Sequence, residues 1–424
     1  MKKPLLKLLR FYGYLFLVAG IIILTGYMQN PTDRNKLGFF GDFIYTLSHP
    51  NTIGDYFKEE NKYEKIFAIA PKEKRIKRLD KFDNEYYLTL SYFRNDTFTA
   101  QKLLLPSDSI VKEFKISREE VYEHCYDTSW LQDGPDIFIK AHEKVERTRA
   151  LHFLFQGKQV VFNASHGPLY CYNTESTQPK WFNKDFIFHH SIETDSLGNI
   201  WACGLSRKLN DLEMLDFQIV KIDPKTGKTL FHKSVVDIMH RSVELQKLNY
   251  FGNAYTHRDV HHLNDIQPFQ TENGLELLIS LRDQNLILRY CPERDSLISY
   301  SIGLGQKQHD VDYLKGRVYV FSNNDPSRYS GMDYNTINTQ NMINLGSDYK
   351  EFYQLEWFKK HKPFTHHQGQ QEVLNDSTFM VEETQPGIIY VVEGNKMRTY
   401  FYPHPENEKF LSMLGWARFE RAKK

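Results

Sequence analysis

The chain has 424 residues, with 54 basic against 53 acidic side chains and 17 histidines. A net charge of +1 offers no basic footprint for nucleic acid, and the length fits one large β domain plus additions or two ordinary domains. Aromatic residues make up 14% of the chain, with 30 Phe and 26 Tyr, which suits strands because aromatics fill pleated, half-buried surfaces.

The first predicted element is a membrane span. Lys2, Lys3, Lys7 and Arg10 precede the uncharged run FYGYLFLVAGIIILTGYMQN at residues 11–30. An apolar segment of about 20 residues is long enough to cross a bilayer, and the basic flank at 1–10 belongs on the cytoplasmic side. A cleaved signal peptide has a similar basic and apolar layout. No small-x-small site follows here, and the apolar core is long, which favours an uncleaved anchor. The expected location is a bacterial inner membrane, single pass, with the C-terminal domain in the periplasm or outside the cell. Residues 31–61 read as a juxtamembrane linker, either a short amphipathic helix on the membrane surface or a plain tether.

Strand signals begin near Lys62. YYLTLSYF, TFTAQKLLL and SIVKEFKI alternate and are joined by turn-like RND and PSDS, an antiparallel meander. Residues 117–150 are mixed and charged, with helix and loop character. Further strand-rich units follow at about 151–184, 186–235, 260–303, 305–356 and 365–403. The stretch VVDIMHRSVELQKLNYFGNAYTHRD interrupts them with a helical pattern, an insertion of the kind that commonly sits over a channel mouth. The tail at 404–424 is amphipathic and packs on the domain or on the membrane.

Repeated strand-rich units of roughly 40 to 70 residues are the signature of propeller blades. The expected fold is all-β, a six-bladed β-propeller at 62–403 preceded by a single N-terminal transmembrane helix. The units open on histidines: His152, His190, His262, His309 and His367. Equivalent positions of successive blades converge on the central channel, so these side chains form a ring at one mouth, the candidate active site. Arg282 in LLISLRDQNLILRY, His166 in VVFNASHGPLYCY and Glu383 in FMVEETQPGIIYVV fall at similar strand turns. Histidines beside an arginine make an anion site, and an imidazole serves as nucleophile or as general acid–base near neutral pH. Arg282 would neutralise a tetrahedral anion, and Asn264 would donate to its oxygens.

Any one of these histidines alone reads as a hydrogen-bonded structural residue; several at repeat-equivalent places favour a site. A histidine ring also suits copper, zinc or iron, but no HxH or HExxH spacing supports it. The tandem pairs His189–His190, His261–His262 and His366–His367 are not expected to place both rings on one strand face. No metal and no cofactor is therefore expected. Glu382, Glu383 and Asp283 read as solvated or turn residues. Cys125, Cys171, Cys203 and Cys291 show no CxxC spacing; the last three read as small buried apolar residues, and no disulfide is assigned.

DVHHLNDIQ, then ISLRDQNLILRY, then QKQHDVDYL with GRVYVFSNND, resembles the bacterial arylsulfate sulfotransferases. Their pattern is Asp-Trp-x-His-x-Asn, then Ser-x-Arg before apolar residues, then Gln-His before a Gly-initiated strand ending in Asn. HHSIETDSLGN and HHQGQQEVLNDSTFMV resemble further segments of that family, so the similarity spans roughly 150–403. It implies a six-bladed propeller acting outside the cytoplasm, which moves sulfate from a phenolic ester to another hydroxyl without a nucleotide donor. A histidine is transiently sulfated. Carried over, His309 matches the nucleophile, His262 and Asn264 the motif pair, Arg282 the sulfate-binding arginine, and His190 (or His189) the remaining histidine. His309, His262, Arg282 and His190 are thus the catalytic candidates; Asn264, His189, His166 and His367 are the substrate-binding ones. The implied partners are an aryl sulfate and a hydroxyl acceptor. Val260 stands where the family has Trp, so the acceptor wall differs, and a separate N-terminal β-sandwich is absent or reduced to the 62–116 meander. The competing class is a non-catalytic anchored propeller that binds a partner protein or an anionic glycan in an envelope complex.

Overall fold

The computed structural model describes residues 78–94, 97–117, 119–121, 152–163, 167–176, 178–212, 214–251, 259–324, 334–365, 368–401 and 414–422. All of these fall in the compact unit Phe67–Lys424. The expected flank at 1–10, anchor at 11–30 and linker at 31–61 lie outside the described residues, as do Cys125, His166, His366 and His367. Among the described residues, no helix is long and apolar enough to cross a membrane.

Among the described residues, alternating apolar and polar residues, punctuated by turns, give 23 strands. The meander is β1 (Tyr86–Arg94), β2 (Thr97–Leu105) and β3 (Ser109–Ser117). Next come β4 (His152–Gln156), β5 (Gln159–Asn163), β6 (Gly167–Asn173), β7 (Pro179–Thr194), β8 (Ile200–Leu209), β9 (Leu215–Ile222) and β10 (Thr229–Ser234). Helices α1 (Val235–Met239) and α2 (Val243–Phe251) follow. Then come β11 (Leu263–Thr271), β12 (Gly274–Leu281), β13 (Leu286–Cys291) and β14 (Ser296–Ile302), and after them β15 (Asp310–Leu314), β16 (Arg317–Ser322), β17 (Thr336–Asn341), β18 (Glu351–Tyr353) and helix α3 (Leu355–His361). The chain ends with β19 (Gln370–Asn375), β20 (Thr378–Glu383), β21 (Ile388–Glu393), β22 (Lys396–Phe401) and β23 (Leu414–Arg421).

Three sheets are local four-stranded meanders: β11 to β14, β15 to β18 and β19 to β22. A fourth has the order β23-β1-β2-β3, so the last strand completes the first meander. The fifth is a seven-stranded sheet running β10-β9-β8-β7-β6-β5-β4. The result is an all-β, propeller-like arrangement with four separate four-stranded sheets rather than the six expected. The cause is β7, a 16-residue strand with no internal Gly or Pro. Its first half pairs with β6 (Cys171 opposite Trp181) and its second half with β8 (Phe188 opposite Gly204), which fuses two units. The first strands of successive units touch in the order β4, β7, β11, β15, β19, β23 and back to β4, closing a ring.

Within the tail expected to be amphipathic, residues 414–421 form β23, paired from Tyr86–Arg421 to Tyr92–Leu414. Such a strand satisfies the otherwise open edge of β1, and a partner more than 300 positions away in sequence supplies the bonds. Helix α1 packs on β9, β10 and β14. Its Val235, Ile238 and Met239 join Leu263, Leu277 and Leu288 in one core between neighbouring sheets. The insertion thus begins as a wedge between sheets at their outer strands. Truncating one of these leucines to alanine removes about 2–5 kcal/mol.

Side chains staple the ring from one unit to the next. The Ser191 hydroxyl accepts from Ile266 N at 3.2 Å, Asp265 from Val311 N at 2.8 Å, and Asp310 from Gln371 N at 2.9 Å. Glu382 accepts from Ala417 N at 2.6 Å, and Glu383 from the Tyr390 hydroxyl at 3.0 Å. Both glutamates are buried, unlike the solvated residues expected from their charge; a buried carboxylate is tolerated because a donor meets it. Cys171, Cys203 and Cys291 are buried free thiols, as small apolar residues would be.

Candidate active site

Several histidines lie at or just before the openings of the ring strands. His152 opens β4, His262 precedes β11, His309 precedes β15, and His190 lies within β7. Their imidazoles meet. The His190 ring centroid lies 5.2 Å from that of His262, 6.4 Å from His309 and 6.0 Å from His152.

The backbone is bent to achieve this. His190 has φ 54° and His262 φ 49°, in the left-handed region, where non-glycine residues are uncommon and cluster at functional sites. The β7–β8 register slips between Phe188 and Ile192, so His189 and His190 sit on a bulge. Strict alternation fails there, and the tandem pair does bring both rings together, with Nδ1 to Nδ1 at 2.8 Å. One of the two nitrogens must carry the proton and the other the lone pair. Asn163 at the end of β5 pins the bulge by donating to His190 O at 3.1 Å.

Both imidazoles are kept neutral near pH 7. Burial lowers the pKa of His189 to about 3, with His262 and His152 adding to the shift. Burial, then neighbouring His189, His262, His152 and His309, pushes His190 well below the ordinary histidine range. The pKa of His261 is lowered to about 4 by burial, against the pull of Asp259 and with His240 nearby.

His309 is 1% exposed. Its Nδ1 lies 2.7 Å from Asn323 Oδ1 and 3.1 Å from Lys307 O. Asn323 Nδ2 donates to Gln368 O at 2.7 Å and Thr365 O at 3.1 Å, which assigns its oxygen to His309. Two acceptors at Nδ1 place the proton there, so Nε2 carries the lone pair of a nucleophile. Asn264 Nδ2 donates to Gln308 O at 2.6 Å, which fixes the backbone beside His309.

His262 Nδ1 donates to Asp259 Oδ2 at 2.6 Å, and a carboxylate at that position orients the ring. Burial alone would raise the Asp259 pKa, but His262 and Arg282 overcome it and leave the carboxyl low. Arg282 directly follows β12 and donates from its backbone to His262 O at 3.1 Å. Its Nε meets Asp283 at 2.9 Å, and Lys307 Nζ meets the same oxygen at 2.9 Å. Against the cost of burial, Arg282, His262 and Lys307 hold Asp283 down to about 2. Asp283 is thus a turn residue, as expected, and also a paired anchor for two cations. Asp259, His262 and Asp283 place one donor atom each within 4.8 Å of one another. Arg282 and Lys307 already oppose the two carboxylates there, which leaves no net negative charge to draw a dication.

Of the expected residues, His190, His262 and His309 come together with Arg282 backbone-linked to them. Asn264 and His189 stand directly behind, while His166 and His367 lie outside the described residues. Sequence reasoning passed over Asp259, Lys307 and Asn323 as site residues, although all three lie inside the motifs already quoted. Phe217 on β9 and Trp416 on β23 also reach the rings. Phe217 is 6.4 Å from His262, and Trp416 is 5.1 Å from His152.

A closed, propeller-like ring with histidines and an arginine at one mouth is the class that fold and site define together. The family model described as arylsulfotransferase (ASST) matches residues 157–401. The chain belongs to the arylsulfotransferase family. No curated protein matches it in sequence. Among solved structures, a protein of unknown function from Bacteroides caccae is similar at 11% identity and TM-score 0.41, over 80% of this chain and 100% of that one. The Neurospora crassa Pan2 WD40 domain is similar at 12% identity and TM-score 0.39, over 80% of this chain and 90% of that one. Virginiamycin B lyase from Staphylococcus aureus is similar at 11% identity and TM-score 0.35, over 62% and 72%. The fold assignment rests on the strand topology above and not on these likenesses.

Proposed function

We propose that the protein is a sulfotransferase that moves a sulfuryl group from an aryl sulfate to a hydroxyl acceptor through a sulfo-histidine at His309. The observation that carries the reading is the tautomer of His309, whose Nδ1 faces two oxygen acceptors and leaves Nε2 to attack. In the first half-reaction, His309 Nε2 bonds to sulfur while the ester S–O bond breaks, and a protonated His262 gives its proton to the departing phenolate. In the second, the acceptor hydroxyl loses its proton to His262 and its oxygen takes the sulfuryl group from His309. Arg282 and Lys307 balance the charge of the equatorial oxygens, in a site largely shielded from water, where such contacts count most. The neutral His190 acts as a hydrogen-bonding partner rather than as a cation.

The seven-stranded sheet counts in this reading as two blades sharing β7, which makes six units around the channel. The basic flank and uncharged run at 1–30 support attachment to the inner membrane with the propeller facing outward. The test is mass spectrometry of the protein after brief exposure to p-nitrophenyl sulfate. An acid-labile gain of one SO3 group on His309 is expected. Phenol release with the adduct elsewhere would remove His309 from the nucleophile's role, and neither release nor adduct would remove the transfer reading.

A further inference from the structure

Trp416 is contributed by β23, the strand that closes the ring, and nothing in the transfer chemistry above requires it. It is 5% exposed, and its indole Nε1 is buried without a hydrogen-bond partner among the described residues. Burying an N–H unpaired is unfavourable, and the large ring adds to the difficulty, because Trp416 adopts φ 39°. A bulky residue in that region is an outlier that persists only where the surroundings impose it. The β1–β23 register slips between Thr89 and Ser91, opposite the stretch between Arg418 and Gly415 that contains Trp416. The bulge and left-handed residue that aim His190 in β7 thus recur in β23, aiming Trp416 at the same cluster. Its ring lies 5.1 Å from His152, which is 6.0 Å from His190.

We infer that Trp416 forms the far wall of the substrate pocket and that its indole N–H binds an oxygen acceptor carried on the aryl group, remote from the sulfate. The indole is a donor with no acceptor capacity and no titration in the working range. It therefore selects for an acceptor such as a carbonyl, carboxylate or ether oxygen, while its face stacks on an aromatic ring. Two rings separate it from His309, which places its contact away from the transferring group. The substrate class is thus an aryl sulfate, or a phenolic acceptor, that bears a second oxygen substituent. The identity of this ligand rests on the transfer reading; the unpaired donor and the bulge do not.

The test uses the full chain in detergent, with acetylphenyl sulfates as probes and the matching ethylphenyl sulfates as isosteres lacking the acceptor. Trp416→Phe keeps an apolar ring and removes the N–H. At least one acetylphenyl isomer is expected to lose about five- to tenfold in kcat/KM and affinity, the worth of one hydrogen bond, with the ethylphenyl isomers changing less than that. Equal losses for both series, or none, would overturn the assignment. Should Trp416→Phe fold poorly, wild-type protein with 15N-labelled tryptophan gives five indole signals to follow, one per Trp. The Trp416 signal, assigned from the variant or by elimination, is expected to move downfield with acetylphenyl but not ethylphenyl sulfate; an unmoved signal overturns the contact. A protein that binds the probes without transferring sulfate would sink the transfer reading yet leave the indole shift decisive. A protein that binds no aryl sulfate or phenol would sink both.

Discussion

The mouth of the channel and its middle are built from the same strands, yet they answer burial in opposite ways. At the mouth, imidazoles are pushed toward neutrality: His189 falls to about 3 and His190 well below its ordinary value, each chiefly through burial. Along the channel, burial pushes carboxyls the other way. Asp265, Asp312 and Glu372 are raised, with Glu193 adding to each. These come from β11, β15, β19 and β7, and Arg418 reaches among them from β23. It grips Glu193 with two bonds, at 2.9 and 2.7 Å, although β4 lies between their strands in the ring. The clustered imidazoles His189 and His190 are thus held neutral, whereas the carboxyls lie around an arginine whose strand is not the ring neighbour of the strand carrying Glu193. Substitutions should separate the two regions.

The largest expected effect is on chemistry without loss of fold. His309→Ala removes the nitrogen proposed to attack, which is expected to cost several kcal/mol of transition-state stabilisation, or roughly three or more decades in rate. Release of p-nitrophenol should fall to background while the circular dichroism spectrum is kept. Near-wild-type turnover would dissolve the distinction between mouth and channel. The mirror experiment is Arg418→Met, which leaves the Glu193 carboxylate without its cation. The pair is half-buried, so breaking it from one side is expected to cost less than the about 3–5 kcal/mol of a fully buried pair, read as a drop in the urea midpoint. If stability is unchanged, the channel pair is not what closes the ring. Next in size is Arg282→Lys. A point charge cannot reproduce the guanidinium fork, so kcat is expected to fall about 10²-fold, with stability altered little because Asp283 keeps Lys307 as a partner.

Much of this contrast was legible in the chain, for identifiable reasons. The units at 260–303 and 365–403 emerge as β11 to β14 and β19 to β22 because period-two alternation and turn residues coincide there. The site histidines were legible because they open units, and a ring of units brings openings together. The fusion through β7 was harder to see, since Asn183 and Asp185 look like turn residues while their side chains are occupied: Asn183 donates to Gly227 O at 2.8 Å. The pairing of the His189 and His190 rings depends on a left-handed residue at a bulge, which histidine does not advertise. Strand β23 hides because LGWARFER is short enough to fit either period, and its partner lies at the opposite end of the chain. Arg418 was invisible for the same reason. Its carboxylate partners lie on other strands, so charge along the sequence cannot reveal the network.

The finest test of the contrast is its pH signature. His261, close to Asp259 at the mouth, has a folded pKa of about 4 against about 6.5 in an unfolded chain. Between those values the unfolded state binds more protons, so this group's contribution to stability rises with pH and is lost on acidification. Glu372 has the opposite sign. Burial raises its folded pKa, with Arg418 opposing and Glu193, Glu420 and Asp265 assisting. Its stabilising contribution is complete below the unfolded value of about 4.3 and fades as pH rises above it. Over the interval from about pH 4.5 to 6, one proton corresponds to about 1.4 kcal/mol per pH unit. His261→Gln is therefore expected to flatten the rise of unfolding free energy with pH by up to that amount, and Glu372→Gln to steepen it by a similar amount. Urea midpoints across this interval read both slopes. Two variants that shift the slope in the same direction would show that the two groups are not displaced to opposite sides of their unfolded pKa values.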